Sequence, residues 1–169
     1  MNNPILEARG ISKSFGTTKA LDNVDFFLEK GIIHGLLGEN GAGKSSLMNI
    51  LSGIYLPEKG IIKIDGVLVN RLNPDLASSF GIGMVHQEFR LIDSFSIKDN
   101  LTLSKSNIYK NDFEEAFAKY SDIFALNLNF MTPVSELSVG EKQKVEIMKL
   151  IFHNSSIMLL DEPTAVLTP

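Results

Sequence analysis

The apolar residues of this chain fall into short runs in its first half and recur at helical spacing in its second half. Residues 5–11 and 20–28 predict two strands, and the second alternates apolar with mostly acidic positions. We expect these strands to pair in antiparallel fashion, with a polar loop at residues 12–18 between them. Residues 31–37 form a short apolar run after a turn signal and predict a further strand.

Turn and cap signals delimit the elements between residues 44 and 80. Apolar residues at helical spacing predict a helix over residues 44–51. Residues 61–64 and 67–69 predict a hairpin, because Asp65-Gly66 between them is a two-residue turn signal. Asn73 followed by Pro74 is typical of a helix start, so we expect a short helix through Phe80.

Beyond residue 81 a strand is followed by a helical region. Residues 82–86 predict a buried strand, and Ser96 with Asp99 resembles a capping box at a helix start. A second helix is expected to open at Asn111-Asp112. Its apolar face, which we interpret as core or as a docking face, consists of Phe113, Phe117, Tyr120 and Phe124.

Two segments near the C-terminus place polar groups at element ends. Ser138 with Glu141 is a capping box, which predicts a helix that begins near Val139 and presents a positive dipole end. Residues 157–162 predict a buried strand that ends in Asp161 and Glu162. Desolvating a carboxylate is costly unless it is paired or binds a metal. Asp161 is therefore a candidate for Mg²⁺ binding, and Glu162 is a candidate general base that polarises an attacking water.

A Gly-rich loop joins the strand at residues 31–37 to the helix at residues 44–51. Its sequence, Gly38-Glu39-Asn40-Gly41-Ala42-Gly43-Lys44-Ser45-Ser46, matches the phosphate-binding pattern of Gly, four residues and Gly-Lys-Ser/Thr. Gly41 and Gly43 can adopt backbone angles that let successive amides and the helix N-terminus point at one anion. Lys44 supplies charge, and Ser45 is a candidate Mg²⁺ ligand. The alternative, a Gly-rich turn with an unrelated lysine, does not explain the flanking strand and helix. Nucleotide binding is therefore the first hypothesis.

Composition narrows the class of protein. The 169 residues, 44% of them hydrophobic, suffice for one globular domain with a core. A formal net charge of −4 gives no electrostatic case for nucleic acid as the main partner. The absence of cysteine excludes disulfides and thiolate metal sites and suits a reducing compartment. No window approaches the roughly 18 apolar residues of a membrane span, so any membrane role must be peripheral.

The residues alone leave three assignments open. Phe15 could belong to the core, which composition favours by about two to one, or it could stack on adenine. Gln87 follows a predicted strand and is either a ligand of Mg²⁺ or water, or a plain surface glutamine. The helix end at Ser138 could receive a phosphate, but a well-capped amphipathic helix explains the same residues. His86 is interpreted as structural.

In order and spacing, these residues resemble the ATPase subunit of ATP-binding cassette (ABC) transporters over the whole chain. Phe15 lies where that family has its adenine-stacking aromatic, and residues 38–46 correspond to its Walker A loop. Gln87 corresponds to its Q-loop glutamine, residues 137–141 to its signature motif, and residues 157–162 to its Walker B strand with the catalytic glutamate. The resemblance favours the functional alternative at Phe15, Gln87 and Ser138.

Site residues follow from that resemblance. It implies catalytic roles for Glu162, Gln87 and Lys44, and Mg²⁺ binding by Ser45, Gln87 and Asp161. It implies that the nucleotide-binding residues are Phe15, Gly38, Glu39, Asn40, Gly41, Ala42, Gly43, Lys44, Ser45, Ser46, Ser138 and Gly140.

The resemblance also implies an architecture. The expected fold is α/β, a P-loop NTPase of the ABC ATPase type with a RecA-like, mostly parallel core sheet, an N-terminal antiparallel β subdomain and an inserted helical subdomain. Residues 1–169 are expected to form a single ABC ATPase domain. Its parts would be an antiparallel β and P-loop core over about residues 1–90, a helical subdomain over about residues 91–150, and the Walker B strand at residues 157–162.

Within the family, residues 38–44, 50–55 and 161–169 resemble the first cassette of simple-sugar and nucleoside importers. The resemblance implies an ATP-hydrolysing subunit, with ATP and Mg²⁺ as cofactors, that powers import of a sugar or nucleoside. Its partners would be an integral membrane permease and a second cassette, in the same full-length chain or in a dimer, and no nucleic acid. It would lie peripherally on the cytoplasmic face of the cell membrane. Ser138 and the Gly140 amide would act in trans on ATP held by the other cassette.

Two alternatives from other classes stay open beside the importer. One is a soluble ABC ATPase that acts on ribosomes or DNA. The other is a chain that only binds nucleotide.

Two departures from the family pattern bear on activity. Val139 and Glu141 stand where the commoner signature has glycine and glutamine, and a carboxylate near a γ-phosphate is electrostatically unfavourable. Such a change is compatible with a weaker composite site. Thr168 replaces the usual aspartate, and the chain stops at Pro169, before the family's switch histidine. We therefore expect a cassette incomplete at its C-terminus that binds ATP weakly and shows no turnover by itself.

Overall fold

A computed structural model of the chain describes residues 4–103 and 113–162. It divides into two compact units, Met1–Ile82 and Gly83–Pro169. The elements of the first unit, in chain order, are β1 (Leu6–Phe15), β2 (Thr18–Leu28), α1 (Lys44–Leu51), β3 (Lys59–Ile64), β4 (Val67–Val69) and α2 (Pro74–Ser79). Strand β5 (Ile82–Val85) begins where the first unit ends.

The first unit contains a four-stranded antiparallel sheet in the order β2-β1-β3-β4. Leu6 of β1 lies opposite Leu28 of β2 on one side and Ile64 of β3 on the other. Leu6 and Ile64 are completely buried, so the inner strand contributes to the core of this unit. The predicted antiparallel pairing of the first two strands is confirmed, as is the Asp65-Gly66 hairpin between β3 and β4.

The predicted polar loop at residues 12–18 is wrong. Strand β1 continues to Phe15 and β2 begins at Thr18, so only Gly16 and Thr17 form the turn. Ser14 pairs with Lys19 and Phe15 with Thr18 across the hairpin. Cross-strand pairing satisfies the backbone groups of this polar stretch, and tertiary context therefore overrides its weak strand propensity.

The strand predicted at residues 31–37 is also wrong, because the structure assigns no strand there. Ile33 is 99% exposed and Leu37 is 93% exposed. An apolar run becomes a strand only when neighbouring strands satisfy its backbone groups. Among the residues that the structure describes, no strand pairs with this segment.

The two short helix starts in this part of the chain are as predicted. Helix α1 spans Lys44–Leu51 and buries Leu47, Ile50 and Leu51. Helix α2 has Asn73 as its N-cap, whose side chain accepts a hydrogen bond from the amide of Leu76, and proline at its first position. It ends one residue before the predicted limit, with Phe80 as its C-cap.

The second unit comprises helices and a two-stranded parallel sheet. Its helices are α3 (Ile97–Thr102), α4 (Phe113–Ile123) and α5 (Val139–Phe152), with a 3-10 turn at Val134–Glu136 before α5. Strand β6 (Ile157–Leu160) pairs with β5. Capping boxes at Ser96 and Ser138 confirm two of the predicted helix starts. The start predicted at Asn111-Asp112 lies outside the described residues.

An aromatic cluster forms the core of the helical region. Phe113 stacks on Phe117 with 5.9 Å between ring centroids, and Phe152 lies 5.3 Å from Phe113. Tyr120 and Phe124 are partly buried against the same cluster. The apolar face predicted on α4 is therefore a packing face. No helix within the described ranges is long and apolar enough to cross a membrane.

Candidate functional site

The Gly-rich loop, residues 38–46, needs glycine at two positions. Gly41 has a φ of 85° and Gly43 a φ of 88°, values that favour glycine. Gly43 is the N-cap of α1, and its carbonyl accepts the amide of Leu47 at 2.9 Å. A Cβ at Gly43 would overlap the carbonyl oxygen of Ala20 on β2 and lie 2.9 Å from the Leu21 side chain. The loop is thus packed directly against the β1–β2 hairpin.

Lys44 closes the loop on itself. Its ammonium donates to the carbonyl oxygens of Gly38 at 2.8 Å and Glu39 at 2.9 Å. The amide of Ala42 donates to the same Glu39 oxygen at 3.1 Å, which forms a tight turn. The first turn of α1 contains no acidic residue. The positive end of the helix dipole and the lysine charge therefore meet at the loop, an arrangement that suits an anion such as phosphate.

Phe15 lies at the end of β1 and is not a core residue. Its side chain is 43% exposed, so the core alternative is wrong. The ring contacts Tyr55 with centroids 5.2 Å apart and an interplanar angle of 66°. Since Ala20 follows on the same hairpin and touches Gly43, the structure places Phe15 and the Gly-rich loop in one unit. An exposed ring on this hairpin is available for stacking.

In the second unit, three candidate residues follow the paired strands β5 and β6. Gln87 is exposed two residues after β5, and Asp161 and Glu162 follow β6 directly. The amide of Asp161 donates to the carbonyl of Val85 at 3.1 Å, which places the ends of the two strands together. Asp161 is only 7% exposed, whereas Glu162 faces solvent and has a φ of 48°. Gln87, Asp161 and Glu162 therefore follow the same edge of this small sheet.

His86 lies between β5 and Gln87. Burial lowers its pKa, the positive charge of Arg90 lowers it further, and the negative charge of Asp161 opposes both effects. The imidazole is therefore neutral at pH 7. The interpretation of His86 as a structural histidine stays a prediction.

The start of α5 is capped by its own carboxylate. The Ser138 hydroxyl donates to Oε2 of Glu141 at 2.6 Å, and the Ser138 amide donates to the same atom at 2.8 Å. These two hydrogen bonds lower the pKa of Glu141, so its carboxylate is ionised at neutral pH. The capping box predicted from the sequence is confirmed. The negative charge lies at the helix end that the sequence assigns to a phosphate.

Two buried polar residues, which the motifs of the sequence do not indicate, hold the segment that follows Gln87. Oε1 of Glu146, on α5, accepts the amide of Arg90 at 2.5 Å. Asn100, on α3, is 0% exposed; its Oδ1 accepts the Ile92 amide at 2.7 Å, and its Nδ2 donates to the Ile92 carbonyl at 3.0 Å. The available signal was a polar residue on an apolar helix face, since Asn100 shares the spacing of the buried residues around it.

Few side chains in the described ranges could serve as ligands of a metal ion. Within the part of the chain that the structure describes, no group of three or more acidic or histidine side chains could hold a metal ion. Mg²⁺ in nucleotide sites usually needs only one or two carboxylates because substrate phosphates and water complete its coordination. The buried carboxylate of Asp161 is one ligand of the kind that this chemistry needs. The assignment of Ser45, Gln87 and Asp161 to Mg²⁺ stays a prediction.

The similarity to known proteins extends over almost the whole chain. The family model described as ABC transporter matches residues 21–165. The guanosine import ATP-binding protein NupO of Bacillus subtilis is 41% identical over 170 residues, covering 98% of this chain and 33% of its own length. The ribose import ATP-binding protein RbsA of Caldanaerobacter subterraneus subsp. tengcongensis is 44% identical over 171 residues, again covering 98% of this chain and 34% of its own length. The chain spans about a third of the length of these curated relatives.

A solved structure supports the fold. The ADP conformation of MJ1267, an ATP-binding cassette of an ABC transporter, superposes with a TM-score of 0.86 at 26% identity. The match covers 99% of this chain and 72% of that one. It confirms the predicted α/β fold class.

Proposed function

This chain belongs to the ABC transporter family, and from that premise we propose that it is an ATP-binding and ATP-hydrolysing unit that powers solute import through a membrane permease. The observation that carries the proposal is the Gly-rich loop, where positive φ angles at Gly41 and Gly43 meet the Lys44 ammonium and an uncompensated helix N-terminus. Backbone amides and a lysine in this arrangement bind the phosphates of a nucleotide.

The triphosphate is the expected ligand of the loop. Lys44 would exchange its contacts with the Gly38 and Glu39 carbonyls for phosphate oxygens, which are stronger acceptors because they are charged. Phe15 would stack on the base. The phosphates would be surrounded by the other loop residues, Gly38, Glu39, Asn40, Gly41, Ala42, Gly43, Ser45 and Ser46.

Hydrolysis would depend on positioning and charge stabilisation, since phosphoryl transfer needs little covalent chemistry from the protein. Ser45, Gln87 and Asp161 would hold Mg²⁺. The ion would neutralise negative charge on the β- and γ-phosphate oxygens. Glu162 is exposed at the end of β6, where its carboxylate can orient and polarise a water molecule.

A second cassette would complete the site. Ser138 and the Gly140 amide begin α5, and in this proposal they contact ATP that is held by the other cassette. The Gln87 segment would contact the permease at the cytoplasmic face of the membrane. Because the relatives NupO and RbsA are named for guanosine import and ribose import respectively, the proposed solute class is a nucleoside or a sugar.

Nucleotide binding is tested first, by measuring ATP affinity for the full chain and for Lys44→Ala. Loss of charge-assisted hydrogen bonds should weaken ATP binding at least about tenfold. Lys30→Ala is the matched control, because it removes the same charge from an exposed position outside the loop. Equal affinities of the two variants would contradict the proposed phosphate site.

Turnover and partners need a second experiment. In membranes that contain the assembled transporter, Glu162→Gln should abolish ATP hydrolysis while ATP binding persists. Retrieval of the chain from those membranes should bring an integral membrane protein with it. Recovery with ribosomes and no integral membrane protein would instead favour the soluble ABC ATPase, and ATP binding without any Glu162-dependent turnover would favour a chain that only binds nucleotide.

A further inference from the structure

We propose that Tyr55 is a positioning residue for the nucleotide base, because its ring fixes the orientation of Phe15 relative to the Gly-rich loop. This inference rests on the proposed function, in which Phe15 stacks on adenine. Tyr55 lies outside the Gly-rich loop, in the 50–55 stretch that resembles the importer cassettes, and the resemblance gives it no role in the site.

Tyr55 is anchored to the end of the helix that carries the loop. The amides of Ile54 and Tyr55 both donate to the carbonyl of Asn49, at 2.8 Å and 3.0 Å. The amide of Gly53 donates to the Ile50 carbonyl at 3.0 Å, and a Cβ at Gly53 would overlap the backbone of Asn73. The chain after α1 is therefore held in one path, and the Tyr55 ring leaves it from a fixed point.

The ring of Tyr55 reaches the Phe15 ring from the segment that follows α1. The centroids are 5.2 Å apart at 66°, which is an edge-to-face arrangement. Edge-to-face aromatic pairs are favourable beyond the area that they bury. Phe15 and Tyr55 are 43% and 37% exposed, so the pair lies at the surface, and the contact with Tyr55 restrains a Phe15 ring that is partly open to solvent.

The same pair of elements is joined at the other end of α1. Gly43 begins the helix and packs against Ala20 of the hairpin that carries Phe15. The hairpin therefore contacts the start of α1 at Gly43 and the segment that follows α1 at the Tyr55 ring. Two separated contacts fix an orientation that one contact cannot, and a base stacked on Phe15 would be aligned with phosphates bound at the loop.

The ammonium of Lys13 lies 5.5 Å from the Phe15 ring centroid. This contact does not close the site to a base. A cation–π contact at an exposed position is weaker than stacking of a nucleobase on an aromatic ring. Lysine is also flexible, so a base would displace it from that face of the ring.

The inference is tested by comparing the affinities of the full chain for ATP and for inorganic triphosphate, which lacks the base. Tyr55→Leu should raise the Kd for ATP about 2- to 10-fold and leave the Kd for triphosphate unchanged. Tyr55→Phe keeps the ring and should retain the wild-type ratio of the two Kd values. Unchanged triphosphate binding shows at the same time that Tyr55→Leu is folded.

Phe15→Leu separates this inference from the proposed function. If Phe15→Leu weakens ATP binding selectively but Tyr55→Leu does not, the positioning role is overturned and the base site stands. If Tyr55→Leu changes both Kd values by the same factor, or if Tyr55→Phe behaves like Tyr55→Leu, the positioning role is also overturned. If Phe15→Leu leaves the ratio of Kd values unchanged, the base site and the positioning role fail together.

Discussion

Replacing Asn100 by leucine should destabilise the protein strongly, although the two side chains are similar in size. Asn100 is 0% exposed and makes three hydrogen bonds with backbone groups. Its Oδ1 accepts from the Ile92 amide, and its Nδ2 donates to the carbonyls of Ile92 and Ser96, the latter at 3.0 Å. Leucine can replace none of these contacts.

The magnitude follows from those three contacts. A neutral hydrogen bond contributes about 1 kcal/mol net, so their loss should cost about 3 kcal/mol of unfolding free energy. The Ser96 carbonyl still accepts the Asn100 amide, so only the amide and carbonyl of Ile92 can stay dry and unpaired. At about 1–3 kcal/mol each, these two groups raise the upper limit to roughly 6 kcal/mol. Because Ile92 is partly exposed, water can reach some of these groups, and a value near the lower limit is expected.

Urea unfolding of the wild type, Asn100→Leu and Asn127→Leu measures the effect. Asn127 is exposed, so the same substitution there should change the unfolding free energy by less than about 0.5 kcal/mol. Hydrogen exchange adds a local readout, since the Ile92 amide should exchange faster in Asn100→Leu. Equal unfolding free energies for the two variants, or unchanged protection of the Ile92 amide, would refute the role of Asn100.

Two further predictions concern the loop and the segment after Gln87. Gly41→Ala and Gly43→Ala both place alanine at a positive φ, but only Gly43 lacks space for a Cβ. Gly41→Ala should therefore cost about 1–2 kcal/mol of unfolding free energy, and Gly43→Ala should cost clearly more. Thermal unfolding measures both losses, and equal losses would contradict the contact of Gly43 with Ala20. Burial raises the pKa of Glu146, so the folded state binds the carboxyl proton of Glu146 more tightly than the unfolded state does. The folded state therefore loses stability as the pH rises above the pKa that Glu146 has in the unfolded chain. Glu146→Gln, which keeps an acceptor for the Arg90 amide, should be more stable than the wild type at pH 8, with a gain that vanishes toward pH 4; a gain independent of pH would contradict this cause.

Local signals predicted most of the elements because each depends on neighbours in the sequence. The caps at Asn73, Ser96 and Ser138 are hydrogen bonds between residues three positions apart, and all three are present. The Asp65-Gly66 turn is equally local. The Gly-rich loop was recognisable for the same reason, since its conformation is specified by glycines within it.

Features that depend on distant residues were missed. The clamp of Glu146 on Arg90 joins residues 56 positions apart, and the contact of Tyr55 with Phe15 joins residues 40 positions apart. The spacing of residues along the chain does not indicate that Glu146 contacts Arg90 or that Tyr55 contacts Phe15. The strand predicted at residues 31–37 failed for the related reason that a strand needs a neighbour, which an apolar run by itself does not specify.

The loss of that predicted strand changes what supports the Gly-rich loop. On its N-terminal side the chain is exposed, as Ile33 and Leu37 show. On its C-terminal side α1 is anchored by three buried residues and by the close approach of Gly43 to Ala20. The shape of the loop in this structure therefore depends on the hairpin and the helix. Because the hairpin also carries Phe15, substitutions that loosen Gly43 from Ala20 should impair the phosphate and base contacts together.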